Sequence, residues 1–264
     1  MDKIYKILQK VKKSSPLVHH ITNCVTISDC ASIVKVFGAS PVMTDTPEEA
    51  EDMVSISNSL VINIGTLNND SIEAMKKAMS VANKKNIPIV IDAVGVGATK
   101  YRNDKIKELL KYKLAVIKGN ASEIASSAGV KSSTRGVDSG TVSGNMIQIA
   151  KSFACKNRCV VVVTGKEDIC TNGTSTVIIK NGSPMMGQIV GTGCMASSVI
   201  GAFCGVEKDY LFASVAGLVC FEIAAENAEK VSEGPGTFKA KMFDKITTLS
   251  YISIKKMKKL EEVK

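Results

Sequence analysis

The sequence predicts an α/β fold, a central and mostly parallel sheet flanked by helices, with a short hairpin and a helical C-terminal third. Three observations predict it. Short apolar runs alternate with stretches of helical spacing over the first 164 residues, and strands apolar on both faces belong to a sheet covered on both sides. After Thr164 two short runs, 168–171 and 176–179, are joined by Asn172-Gly173, which reads as an antiparallel turn. From Thr192 onward the pattern is almost all helix.

The elements follow in order. Met1-Asp2-Lys3-Ile4-Tyr5-Lys6 opens an amphipathic helix and lacks the apolar core of a signal peptide. A strand at 60–64 precedes a helix over about 70–84, where Ile72, Met75, Ala78, Met79 and Ala82 recur at helical spacing. A strand at 88–92 leads to a helix over about 103–111, and a strand at 114–117 to a helix opening near Asn120. A long helix over about 144–155 feeds the strand 159–164. The apolar stretches 190–206 and 211–225 are rich in Gly, Ala and Ser; Glu207, Lys208 and Asp209 separate them and Glu222 sits in the second. They read as buried helices rather than membrane spans.

Composition supports one globular domain over 1–264: hydrophobic residues are 45% and charged residues 22%, with no linker-like stretch or repeat. The net charge of +9 does not point to nucleic acid. Only Arg102, Arg135 and Arg158 are arginines, and the lysines are dispersed in pairs such as Lys12-Lys13, Lys76-Lys77 and Lys84-Lys85, with one denser run at 255–259. A dispersed lysine surface is a solvated one, without the stripe or the bidentate forks that phosphates and bases select. The eight cysteines form no C-x-x-C pair, and His19 and His20 are the only imidazoles, so a zinc site is not expected. Reduced thiols of this kind fit a cytoplasmic protein.

In open parallel sheets ligands bind beyond the carboxyl ends of the strands. Those ends read Gly65-Thr66, Asp92, Lys118-Gly119-Asn120 and Thr164-Gly165, followed by Gly191-Thr192-Gly193-Cys194. Asp92 closes its strand, and Glu123 lies one turn into the helix opened by Asn120. Two carboxylates beside glycine turns at helix starts suit a magnesium–nucleotide site, oxygens holding the ion and backbone amides the phosphates. There is no G-x-x-x-x-G-K-[ST] loop, and Val94-Gly95-Val96-Gly97-Ala98 lacks the third glycine of a dinucleotide fingerprint. Each feature has a plainer reading as well. Asn120-Ala121-Ser122-Glu123 has capping-box spacing, Asp92 could cap a turn, and the glycines at 191 and 193 could start a tightly packed helix.

Further stretches carry a resemblance. They are Ser15-Pro16-Leu17-Val18-His19 with Ile21-Thr22-Asn23, Gly38-Ala39-Ser40-Pro41-Val42-Met43, and Asn63-Ile64-Gly65-Thr66-Leu67. Lys118 to Ile124, Gly191 to Cys194 and Gly234-Pro235-Gly236 complete the series. In this order they resemble the hydroxyethylthiazole kinase family of the ribokinase-like superfamily over almost the whole chain. The resemblance implies ATP-dependent phosphorylation of the hydroxyl of 4-methyl-5-(2-hydroxyethyl)thiazole, a thiamine precursor. It also implies magnesium and a homotrimer with sites between subunits. Carried over by motif, Met43 and Gly191 would contact the thiazole, and Asn23, Gly65 and Thr66 would line the alcohol pocket. Lys118 and Thr164 would contact ATP with Asn120 at the same edge, and Asp92 and Glu123 would lie around the metal. Gly191, Gly193 and Cys194 would form the catalytic turn.

Three departures from the related patterns bear on chemistry. Lys118 stands where the family usually has arginine, keeping the charge but losing the fork. Asp92 is followed by Ala93 rather than proline. Cys194 stands where most superfamily relatives have an aspartate base. Phosphoryl transfer passes through a loose transition state, so a strong base is dispensable. The expectation is that the amides of Gly191 to Cys194 hold the phosphoryl group while Cys194 orients or assists the hydroxyl. A helix N-terminus lowers a thiol pKa and ATP phosphates oppose it; sequence leaves that balance open. Rival readings are a kinase of another small alcohol such as hydroxymethylpyrimidine or pyridoxal, a nucleotide-dependent dehydratase, and a non-catalytic sensor.

Overall fold

The computed structural model describes residues 2–130 and 144–263. Met1 and Arg135, both used above, lie outside the described residues. One nine-stranded sheet runs through the described residues in the order β2-β1-β3-β4-β5-β6-β7-β8-β9. Its strands are β1 (Leu17–Ile21), β2 (Ser40–Met43), β3 (Ser59–Asn63), β4 (Ile89–Asp92), β5 (Val116–Asn120), β6 (Val160–Thr164), β7 (Asp168–Thr171), β8 (Thr176–Ile179) and β9 (Leu260–Val263). The first six are parallel, and β7, β8 and β9 continue the sheet antiparallel.

Helices cover both faces. One core lies beneath α1 (Lys3–Ser14), α2 (Ile27–Val36), α8 (Thr192–Cys204), α9 (Tyr210–Glu229) and α10 (Pro235–Thr247). The other lies beneath α3 (Ala50–Ser55), α4 (Asn69–Lys85), α5 (Lys100–Leu109), α6 (Ala121–Ser127) and α7 (Met146–Asn157). A short helix, α11 (Tyr251–Met257), precedes β9. Among the described residues α9 is the one helix long and apolar enough to cross a membrane, and 78% of that stretch is buried in this core.

The direction of α8 places the site. Gly201 passes so close to β3 that a Cβ there would sit 2.3 Å from Val61 Cγ2, and Gly205 packs near Pro16 and Asn58 at the amino ends of β1 and β3. The helix therefore runs opposite to the parallel strands, and its N-terminus meets their carboxyl ends.

The elements read from the sequence are present, with differences that have local causes. Helix α5 opens at Lys100 because Thr99 caps it by accepting the Arg102 amide. Strand β5 extends to Asn120, since Lys118, Gly119 and Asn120 keep pairing with β6 although they are not apolar. The hairpin loop spans 172–175: Asn172 Oδ1 accepts from the Thr174 and Ser175 amides, and Gly173 takes a left-handed φ of 93°. The C-terminal third is not all helix, because β9 pairs with β8 as a charged edge strand. All eight cysteines are free thiols.

Candidate active site

Register brings the strand ends together. Asn63 pairs with Asp92 and Asp92 with Lys118, so the three stand side by side on neighbouring parallel strands. Partners in register project to the same face, and their contacts with Cys194 and Ser197 identify it as the face covered by α8. Asp92, fully buried, accepts from Ser197 Oγ at 2.7 Å, and both its oxygens lie 3.4 Å from Lys118 Nζ.

Lys118 reaches the amino end of α8. A Cβ on Gly193 would stand 3.0 Å from its ammonium nitrogen, so the glycine leaves room for that approach. Burial works against the charge on Lys118, but Asp92, Glu123 and Cys194 outweigh it and hold the ammonium above the ordinary lysine value. Burial in turn raises the carboxyls of Asp92 and Glu123, against the pull of Lys118. A buried cation thus sits against the positive end of a helix, a juxtaposition that an anion would relieve.

Glu123 forms the predicted capping box and extends it. Its Oε2 accepts the Asn120 amide and its Oε1 the Gly95 amide, each at 2.8 Å, while Asn120 Oδ1 accepts from the Glu123 amide at 3.0 Å. One carboxylate thereby ties the turn after β5 to the turn after β4. Among the described residues no group of three His, Cys, Asp or Glu side chains converges as a metal cage. Two carboxylates do fit a magnesium ion brought mainly by nucleotide phosphates and water, the usual mode for that ion.

Two side-chain amides face the Cys194 thiol. Asn23 Oδ1 accepts the Val25 and Thr26 backbone amides, and Asn63 Oδ1 accepts that of Gly65. Those obligate donors fix the orientation of both side chains, which leaves each Nδ2 to donate to Cys194 Sγ, at 3.4 and 3.2 Å. Burial and the Asp92 charge nevertheless raise the Cys194 thiol above its ordinary value, against Lys118 and the hydrogen bonds of Thr26 and Asn63. Burial, which the sequence reading did not weigh, favours the protonated thiol. Gly191, at φ 96°, packs on Thr26, whose Cγ2 would lie 2.7 Å from a Cβ there. Thr66 Oγ1 accepts the Cys24 amide at 3.1 Å, tying the turn after β3 to the loop after β1.

Asn23, Gly65, Thr66, Asp92, Lys118, Gly191, Gly193 and Cys194 form one chain of contacts, joined to Asn120 and Glu123 through β5. Thr164 ends β6 beside them, its hydroxyl donating to the Gly119 carbonyl at 3.4 Å. Met43 stands apart on the outermost parallel strand, paired with His20. Both histidines are buried, and burial lowers both, His20 to about 4. Sequence reasoning did not identify Asn63, Ser197 or Arg102. Asn63 lay within a matched stretch, and Ser197 lies four residues after Gly193 on the same helix.

Sheet order, helix placement and the polar strand ends beneath α8 define a ribokinase-like fold, and the chain superposes on a ribokinase-like superfamily protein from Enterococcus faecalis with a TM-score of 0.62 at 12% identity, covering 92% of this chain and 94% of that one. A hydroxyethylthiazole kinase structure from Pyrococcus horikoshii superposes with a TM-score of 0.91 at 35% identity, covering all of both chains. The curated hydroxyethylthiazole kinase of Methanosarcina mazei is 48% identical over 97% of this chain and 98% of its own. That of Thermoanaerobacter pseudethanolicus is 46% identical over the same shares. With the hydroxyethylthiazole kinase family model matching residues 8–251, the chain belongs to that family.

Proposed function

We propose that the protein transfers the γ-phosphoryl group of ATP to the side-chain hydroxyl of 4-methyl-5-(2-hydroxyethyl)thiazole, serving thiamine synthesis or salvage. The observation that carries this reading is the Lys118 ammonium, buried and charged against the amino end of α8. A transferring phosphoryl group fits that position, where the amides of Gly191 to Cys194 and Lys118 would offset its charge. Asn23, Gly65 and Thr66 line the alcohol side, and Thr164 and the turn capped by Asn120 receive the nucleotide. Asp92 and Glu123 would hold magnesium, which when bound offsets phosphate charge. Cys194, as a thiol, orients the hydroxyl, whose proton need not leave before a loose transition state.

The position of Met43 supports a site completed by a second chain. It ends an outer strand, and Val25 and Val190, which flank the Thr26–Gly191 contact, are 66% and 73% exposed. The reading is therefore a single catalytic domain over 1–264 that works as a cytoplasmic homotrimer. Incubation with magnesium-ATP and the thiazole alcohol, followed by mass spectrometry, should yield the phosphorylated thiazole. Turnover of hydroxymethylpyrimidine or pyridoxal with none of the thiazole would overturn the choice of substrate.

A further inference from the structure

The geometry points to Arg102 as the residue that sets the spacing between the turn after β3, on the alcohol side, and the turn after β4, which follows Asp92. Arg102 lies in the first turn of α5, outside the polar row, and its guanidinium reaches three backbone carbonyls. Nη1 donates to Ile64 and to Val94, the latter at 3.1 Å, and Nη2 donates to Gly65 at 2.6 Å. Ile64 and Gly65 follow β3 and belong to the turn lining the alcohol pocket. Val94 follows Asp92 by two residues and precedes Gly95, whose amide Glu123 holds. One planar fork thus joins the turn on the alcohol side to the loop that follows Asp92 and is held by Glu123, and so sets the alcohol turn against the carboxylates proposed to hold magnesium.

The neighbouring contacts make this a clamp. The Gly65 peptide is gripped at both ends, its amide by Asn63 Oδ1 at 2.9 Å and its carbonyl by Arg102. Asn63 in turn donates to Cys194, so displacement of Gly65 carries to the thiol. Gly95 lies flat on the guanidinium: a Cβ there would be 3.2 Å from its central carbon. The next residue, Asn103, holds the far side of the same loop by accepting the Gly97 amide at 2.7 Å. The chemistry explains why an otherwise lysine-rich chain spends one of three arginines here. Lysine offers donors from a single nitrogen, and only a fork spans carbonyls on two strands.

Arg102 touches no reacting atom and is a positioning residue. The proposal rests on the kinase reading above, and its test separates the two. Arg102→Lys and Arg102→Ala are compared with wild type by amide hydrogen exchange without substrate, then by kinetics on thiazoles carrying hydroxymethyl, hydroxyethyl and hydroxypropyl chains. In Arg102→Lys, exchange should quicken together in 64–67 and 93–97. The kcat for the hydroxyethyl alcohol should fall by roughly 10²-fold, the effect of a small misplacement, and preference among chain lengths should narrow. Ethylguanidine should restore activity to Arg102→Ala and ethylammonium should not. Unchanged exchange in either loop, or lower thermal stability with kcat and chain-length preference intact, overturns the clamp. If wild type phosphorylates no thiazole, the kinase reading fails while hydrogen exchange still decides for or against Arg102.

Discussion

Among the described residues the protein buries two clusters of carboxylates, and they solve the same problem in different ways. At the active site Asp92 and Glu123 share a buried cation, Lys118, and every oxygen has a donor or the ammonium nearby. Asp168 at the start of β7 and Glu222 in the middle of α9 are buried too, and each has the other acid as its partner, with Lys118 also favouring the Asp168 carboxylate. Asp168 accepts the Gly165 amide at 2.9 Å, while Glu222 Oε2 has no hydrogen-bond partner among the described residues. Burial first, then the Asp168 charge, pushes Glu222 well above the ordinary glutamate value. In the first cluster Lys118 is held charged against the acids, and in the second Glu222 keeps a proton. What distinguishes the first cluster is a buried cation beside a helix N-terminus, an arrangement suited to an anion.

Removing that cation should break the contrast, with the largest effect of any single change. Lys118→Met leaves Asp92 and Glu123 buried without it, and loss of one partner of a buried pair typically costs about 3–5 kcal/mol. The kcat should fall by roughly 10³-fold or more, as for other cations acting on a transferring phosphoryl group. Adding Asp92→Asn should return much of the stability, measured by urea denaturation, but none of the activity. Recovery of activity in the double variant would mean that Lys118 serves Asp92 alone and not the phosphoryl group.

The first cluster was largely legible in the sequence because strand ends on a parallel sheet are addresses. Asp92, Lys118 and Glu123 each closed or followed an apolar run, so topology placed them on one edge. Cys194 and Met43 needed the resemblance, since a cysteine or methionine in an apolar stretch reads as core. Arg102 gave no signal because its partners are backbone carbonyls, which leave no mark in a sequence. Strands β1 and β2 escaped for a different reason: His19, His20 and Pro41 break the apolar pattern that marks the other parallel strands. Strand β9 hides behind a lysine run and carries Glu261 and Glu262, so it lacks an apolar face until β8 supplies the pairing.

A smaller effect sharpens what the first cluster does chemically. Because burial raises the Cys194 thiol, it stays protonated through neutral pH and ionises only above its ordinary value of 9.0. Cys194→Ala should therefore cost less than the ~10²–10⁴-fold typical of a general base. Its kcat–pH profile should follow the wild type below that pH. Cys194→Ser should cost less again, since a hydroxyl still accepts from Asn23 and Asn63. A loss well beyond that range in the alanine variant, with ATP binding intact, would make the thiol an indispensable base.

The smallest effect on activity comes from the second cluster, where the readout is stability against pH. Glu222 is protonated when folded and ionised when unfolded above its ordinary value of 4.5. The folded state then binds more protons, so the stability contributed at low pH is lost as pH rises from about 4.5 toward the raised folded value. The slope for one proton is at most about 1.4 kcal/mol per pH unit. Glu222→Gln replaces the O–H donor toward Asp168 with an N–H donor of similar shape and removes the titration. Denaturation midpoints should consequently fall with pH in the wild type and flatten in the variant, whose advantage grows toward alkaline pH while turnover is unchanged. Parallel midpoints across that range would mean that Glu222 is ionised in the folded protein, and the two clusters would no longer differ in kind.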